Sequence, residues 1–312
     1  MKLSEEQKKI NRASWFFMSL VVVYILVVIL LRITGLGNTI SMVQNLILSQ
    51  SMILIPTILY IILTKCSIRE TLRLRRTHWA MILLVPVFVI ALEPLMTLIN
   101  ALSLMWVESG TEQISTDLLA NHRLWVSMLL AAVMPAVVEE LAYRGVVLGT
   151  FHHSHRLWAI ITSGFLFGVM HMNFNQMAYA MVLGIMFGFL AEATGSIFST
   201  MFAHFCFNGI SVLLGYAAWH VGVLRDAMEK SMEQGNSTAD LRQTVSMLVS
   251  PAVIGLMIAV AILYCLAVLN GRKEKFMGLF RKQPRSTRII SAPLVVTVCI
   301  CIGLMIFFEI LY

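Results

Sequence analysis

The run "LWVSMLLAAVMPAVVEELAYRGVVLGT", residues 124–150, decides how this chain folds. It is long enough to cross a bilayer, which takes about 20 predominantly apolar residues in a helix. Yet Glu139, Glu140 and Arg144 stand inside it, within two turns of one another. Charged side chains at bilayer depth cost on the order of several kcal/mol each, so they are rare and by default mark a functional site. The rest of the chain says that the run is indeed membrane. Of the 312 residues 59% are hydrophobic and only 12% charged, and the mean hydropathy is +0.84. A soluble domain carries about 45–50% apolar and about 25% charged residues.

Outward from that run, similar stretches recur along the chain. They lie at 15–31, 43–64, 79–105, 124–150, 157–172, 176–192, 196–218, 246–269 and 289–311. The fold expected is all-α: a polytopic transmembrane helix bundle of eight or nine spans. The fifth and sixth runs are short and parted only by "MNFNQ", which leaves room for half-buried elements there. No polar block is long enough to fold separately, so residues 1–312 read as a single membrane domain. The first run lacks a small-residue cleavage site and reads as an anchor.

The net charge of +7 is not a nucleic-acid signal. Eighteen of the 23 lysines and arginines fall in residues 1–14, 65–78, 144–156 and 270–288, in alternate connections between runs. That alternation is the positive-inside pattern, and it predicts a cytoplasmic N-terminus in a cell membrane. Residues 65–78 and 270–288 would then face the cytoplasm, and 106–123 and 219–245 the outside. Cys66, Cys206, Cys265, Cys299 and Cys301 lie in or beside apolar runs without metal-type spacing and read as packing residues.

Three polar clusters interrupt the apolar runs. In the first, Glu140 and Arg144 are four apart with the glutamate first, the favourable order for an ion pair on one helix face. Glu139 is rotated by about 100° from its neighbour and cannot share that arginine equally. Two carboxylates in two environments can divide labour, one held and one free to act on a proton. The second cluster is "FGVMH", ending at His171. The third is "HFCFN", which sets His204 and Asn208 on one face. A lone buried histidine is more often a satisfied core residue. Two of them with an asparagine and two glutamates, all at compatible depth, are a rarer coincidence.

Such a set can hydrolyse an amide. A carboxylate activates water, histidine shares that water or relays protons, and histidine or asparagine donors hold an oxyanion. Two histidines and a glutamate can also ligate zinc, with Glu139, His171 and His204 as the ligands, although no HExxH pair is present.

Glu-Glu-x-x-x-Arg at 139–144, Phe-x-x-x-His at 167–171 and His-x-x-x-Asn at 204–208 resemble the three motifs of the CAAX protease and bacteriocin-processing intramembrane proteases. The family includes the Ras-converting CAAX endopeptidase. "ATGSIFSTMFAHFCFN" is similar to the usual lead-in to the third motif. The resemblance covers about residues 124–218, the expected catalytic core. It implies a helix bundle with a polar, water-filled cavity and endopeptidase activity on a peptide or membrane-protein substrate at the bilayer. It also implies that Glu139 activates water with help from His204, that His171 and Asn208 hold the oxyanion, and that Glu140 and Arg144 support them. The mechanism so implied needs no cofactor; Zn²⁺ is the alternative. Two other readings of the same residues are a non-catalytic immunity-type or binding relative and a transporter or proton pathway. Against the latter, no corresponding pair of Gly/Pro-interrupted spans is evident.

Other residues fit less closely. Glu93, before Pro94, is expected to interrupt the third span and to line the cavity or face a partner. Glu192 ends the sixth run and reads as interfacial. "HHSH" at 152–155 reads as a solvated face rather than a metal site. "RETLRLRRTH" at 69–78 reads as a basic loop against anionic headgroups.

Overall fold

A computed structural model of the protein describes residues 4–107, 112–152, 155–225, 238–281 and 287–311. His153 and Ser154, and parts of the 106–123, 219–245 and 270–288 connections, lie outside the described residues. Most of those described are helical, with no strand among them. The main helices are α1 (Glu5–Thr34), α2 (Met42–Thr64), α3 (Met81–Ser103), α4 (Leu124–Phe151) and α5 (Arg156–Val169). They continue with α6 (Phe174–Thr194), α7 (Ile197–His220), α8 (Thr238–Leu269) and α9 (Ala292–Leu311). All but α5 are long and apolar enough to cross a membrane. The protein is an integral, multi-pass membrane protein. The fifth run is thus shorter than a full span, 14 residues against 21 in α6.

α6 is the axis of the bundle, and 61% of its apolar window is buried inside the protein. α5 runs antiparallel along it, and α3, α7 and α8 also pack against it. The α5–α6 approach requires glycine. A Cβ on Gly164 would come within 2.6 Å of the Ile185 backbone nitrogen. Small residues of this kind let helix backbones meet where lipid supplies no hydrophobic drive. α6 starts at Asn173, whose side chain caps the Gln176 N–H, and stops at Gly195 in the left-handed region, φ +74. Ser196 then caps α7 through the Phe198 N–H. These tight turns set α6 between α5 and α7.

One end of the bundle gathers distant basic segments. Gln7 Nε2 donates to the Arg288 carbonyl (2.9 Å), joining the starts of α1 and α9. Ser196 Oγ donates to the Arg75 carbonyl (2.6 Å), and the His78 N–H donates to Asn270 Oδ1 (2.9 Å). The 69–78 segment expected to lie against headgroups is therefore bonded to the α6–α7 turn and to the end of α8. Its Leu72 is buried. Glu192 also differs from its reading as interfacial. It is 1% exposed and sits among Arg73 (2.6 Å), Arg272 (3.6 Å), His152 (3.6 Å) and Arg156 (4.0 Å). The helix end is at the surface, but those cations fold over the carboxylate.

α3 passes unbroken through Pro86 and Pro94, against the expected interruption after Glu93. In a bundle, neighbouring helices and hydroxyl side chains compensate for a missing N–H. All five cysteines are free thiols.

Candidate active site

α4 carries the first cluster, and its backbone is irregular there. Two stretches, Leu129–Val133 and Leu141–Val147, are π-helical and flank the α-helical turn Met134–Glu140. Pro135 is the local cause of the first. It has no N–H for the Ala131 carbonyl four residues back, and its ring crowds that carbonyl. The chain answers with a wider turn, in which the Met134 N–H reaches Leu129. Such π-bulges are frequent at functional sites. Here Asn208 Nδ2 on α7 donates to that same Ala131 carbonyl at 3.1 Å, tying the third motif to the first.

Glu140 and Arg144 form a buried pair at 2.8 Å, 0% and 1% exposed. The guanidinium also donates to the Gly184 carbonyl on α6 (3.2 Å) and lies 4.5 Å from the ring centre of Phe167 and 5.5 Å from that of Phe187. Charge, hydrogen bonds and two aromatic faces together replace the water it has lost. Glu140 Oε1 additionally accepts from His204 Nδ1 at 3.0 Å. A carboxylate oxygen can only accept, so Nδ1 carries a proton and Nε2 is the ring atom left to face the other way.

That Nε2 faces Glu139, whose Oε2 is 3.9 Å away. Glu139 Oε1 accepts from Gln50 Nε2 of α2 at 2.9 Å. The two glutamates therefore stand in different environments. Glu140 is sealed under Arg144 and His204, while Glu139 is 14% exposed and faces a gap. His171 sits just past α5, with its Nδ1 donating to the Phe167 carbonyl at 2.8 Å. Phe167 lies between the histidines, with ring centres 5.0 Å from His171 and 6.0 Å from His204.

Glu139, Glu140, Arg144 and His204 are joined by these contacts. Asn208 is linked through Ala131, and His171 through Phe167. Glu93 shares no hydrogen bond or ion pair with them among the described residues. Gln50 and Phe187 were not singled out from the sequence. The signal for Gln50 was present, in that "SQS" at 49–51 is a polar break inside the second apolar run.

Among the described residues no group of three or more His, Cys, Asp and Glu side chains is disposed to hold a metal. Glu139 is turned toward Gln50, and Glu140 is committed to a cation and a histidine.

Residues 121–210, which hold all three clusters, match the family model described as type II CAAX prenyl endopeptidase Rce1-like. Neither a curated protein nor a solved structure matches the chain.

Proposed function

We propose, from the premise that residues 121–210 belong with the CAAX protease and bacteriocin-processing family, that the protein is an intramembrane endopeptidase. Glu139 is its general base. The observation that carries this reading is the 3.9 Å gap between Glu139 Oε2 and His204 Nε2. With the His204 ring neutral both are acceptors, and one water can bridge them by donating to each. Its lone pair is then aimed away from both, toward a substrate carbonyl.

Attack forms the C–O bond as Glu139 takes the water's proton, leaving a tetrahedral oxyanion. Collapse breaks the C–N bond while the protonated Glu139 returns that proton to the departing nitrogen. Gln50 fixes the carboxylate by holding its other oxygen. His204 is oriented by Glu140, which Arg144 holds in turn. Asn208 keeps a second amide proton, beyond the one given to Ala131, for the oxyanion. His171, whose Nδ1 is engaged with the Phe167 carbonyl, turns its Nε2 to the oxyanion as the second partner.

The substrate is a peptide presented at the membrane. A farnesylated CAAX-type peptide is the first to test, since the matching family description names a prenyl endopeptidase. The basic end of the bundle faces the cytoplasm, by the positive-inside pattern.

Glu139→Gln keeps shape but removes the proton-accepting oxygen. Cleavage of the peptide by purified protein should fall by about 10²–10⁴-fold. Activity near wild type in that variant overturns the reading. In a parallel arm, wild-type activity should survive chelation. Loss on chelation with recovery on added Zn²⁺ would restore a metal mechanism.

A further inference from the structure

At its basic end the bundle encloses a cup of about 750 Å³. Its floor holds Arg73, Arg156 and Arg272, drawn together over the buried Glu192. Its rim carries Lys9 and Arg12 of α1, Lys65 at the end of α2, Arg75 before α3, and Lys275 beyond α8, all exposed. Among the described residues, eight lysines and arginines line the cup, and Glu70 is the one acidic residue on its wall.

The walls are fixed by backbone contacts. A Cβ on Gly149 would fall 2.3 Å from the Thr71 carbonyl oxygen, so the segment before α3 is seated directly on α4. The Ile197 N–H donates to the Arg73 carbonyl at 3.3 Å. Arg272 is pressed against Gly195, whose Cβ would stand 2.8 Å from a guanidinium nitrogen. These cations are thus held together before any ligand arrives. Glu192 is shared among the floor residues and leaves the rim without a buried counter-charge.

A carboxylate or a phosphodiester brings one negative charge to such a cup. A phosphate monoester brings about 1.5 to 2 and three strong acceptor oxygens. Arginine forks bind it in two-point geometry and lysines as point charges. The volume exceeds what orthophosphate alone needs and falls in the range of small-ligand pockets, about 300–1,000 Å³. α4 links the cup to Glu139 over about ten residues, or about 15 Å, so the two sites are separate. We propose that this cup binds a phosphate monoester, carried by a lipid headgroup or by a soluble molecule. The inference does not depend on the proteolytic chemistry.

The test uses the full-length protein in detergent, with lipid binding followed by native mass spectrometry. The probes are phosphatidic acid (a monoester lipid), phosphatidylglycerol (a diester lipid) and glycerol 3-phosphate. Lys65→Gln with Arg75→Gln removes two rim charges. Arg69→Gln with Arg76→Gln removes two exposed charges from the same segment that do not line the cup. Phosphatidic acid should bind the wild type about tenfold or more tightly than phosphatidylglycerol, and the rim variant should lose about that factor while the control keeps it. Glycerol 3-phosphate bound with the same variant pattern assigns a soluble ligand, and its failure beside a bound phosphatidic acid assigns a lipid. Equal loss in both variants, or no preference for the monoester lipid, means diffuse attraction and overturns the proposal. Thermal melts of the variants confirm that both are folded.

Discussion

Arg144 gives up its hydration on burial, and each of its contacts offsets a part of that loss. Glu140 supplies charge, the Gly184 carbonyl a second acceptor, and Phe167 and Phe187 two aromatic faces. Truncation to alanine leaves Glu140 without its cation. Leaving one member of a buried pair unpartnered costs about 3–5 kcal/mol. Arg144→Ala should therefore lose stability of that order in thermal melts in detergent. Arg144→Lys should lose less, keeping the charge but not the fork that reaches Glu140 and Gly184 together. Melts indistinguishable from wild type for both variants would mean that the pair is solvated. At this scale the sequence was informative where contacts are local. Spacing of four announced Glu140 with Arg144, and the 100° offset set Glu139 apart. Gln50 showed only as a polar break in an apolar run, and its pairing was hidden because the partner is 89 residues away and only packing of α2 against α4 brings them together.

Helices were legible as long apolar runs because no other element of a membrane protein has that signature. What the runs concealed is how the helices meet and where their ladders slip. The first π-helical turn of α4 follows from Pro135 acting inside a packed bundle, and α3 absorbs two prolines without a break. α8 lies so close to α3 that a Cβ on Gly255 would fall 2.0 Å from the Ala91 carbonyl oxygen. Gly255→Ala must push the two helices apart and should cost about 1–3 kcal/mol, the usual scale of overpacking. Gly303 of α9 has nothing within 4 Å of the same position, so Gly303→Ala should be neutral or slightly stabilising through helix propensity. Parallel melts of the two variants test the contact. Equal behaviour would show that α3 and α8 adjust freely.

For the whole molecule, the distribution of basic residues predicts orientation, and the contacts among distant segments bring those residues to one end. With the native cysteines replaced, a cysteine at Ser67 should be labelled by a membrane-impermeant reagent only after cells are opened. A cysteine at Thr39 should be labelled from outside. The reverse pattern would invert the molecule and the side on which the cup meets the membrane. The short α5 has a consequence of its own. Its 14 residues reach about 21 Å, against about 30 Å of hydrocarbon in a typical bilayer. Trp158, exposed near its basic end, is suited to anchor that end at one interface. The other end, with His171, then stops short of the opposite leaflet's surface. Lipids beside a short element compress to match it, at fractions of a kcal/mol per Å. Hydrophobic mismatch thus makes membrane thickness a variable of turnover. In nanodiscs of increasing acyl-chain length, cleavage should decline stepwise while the folded fraction stays constant. A rate indifferent to thickness would mean that neighbouring helices shield α5 from the lipid entirely.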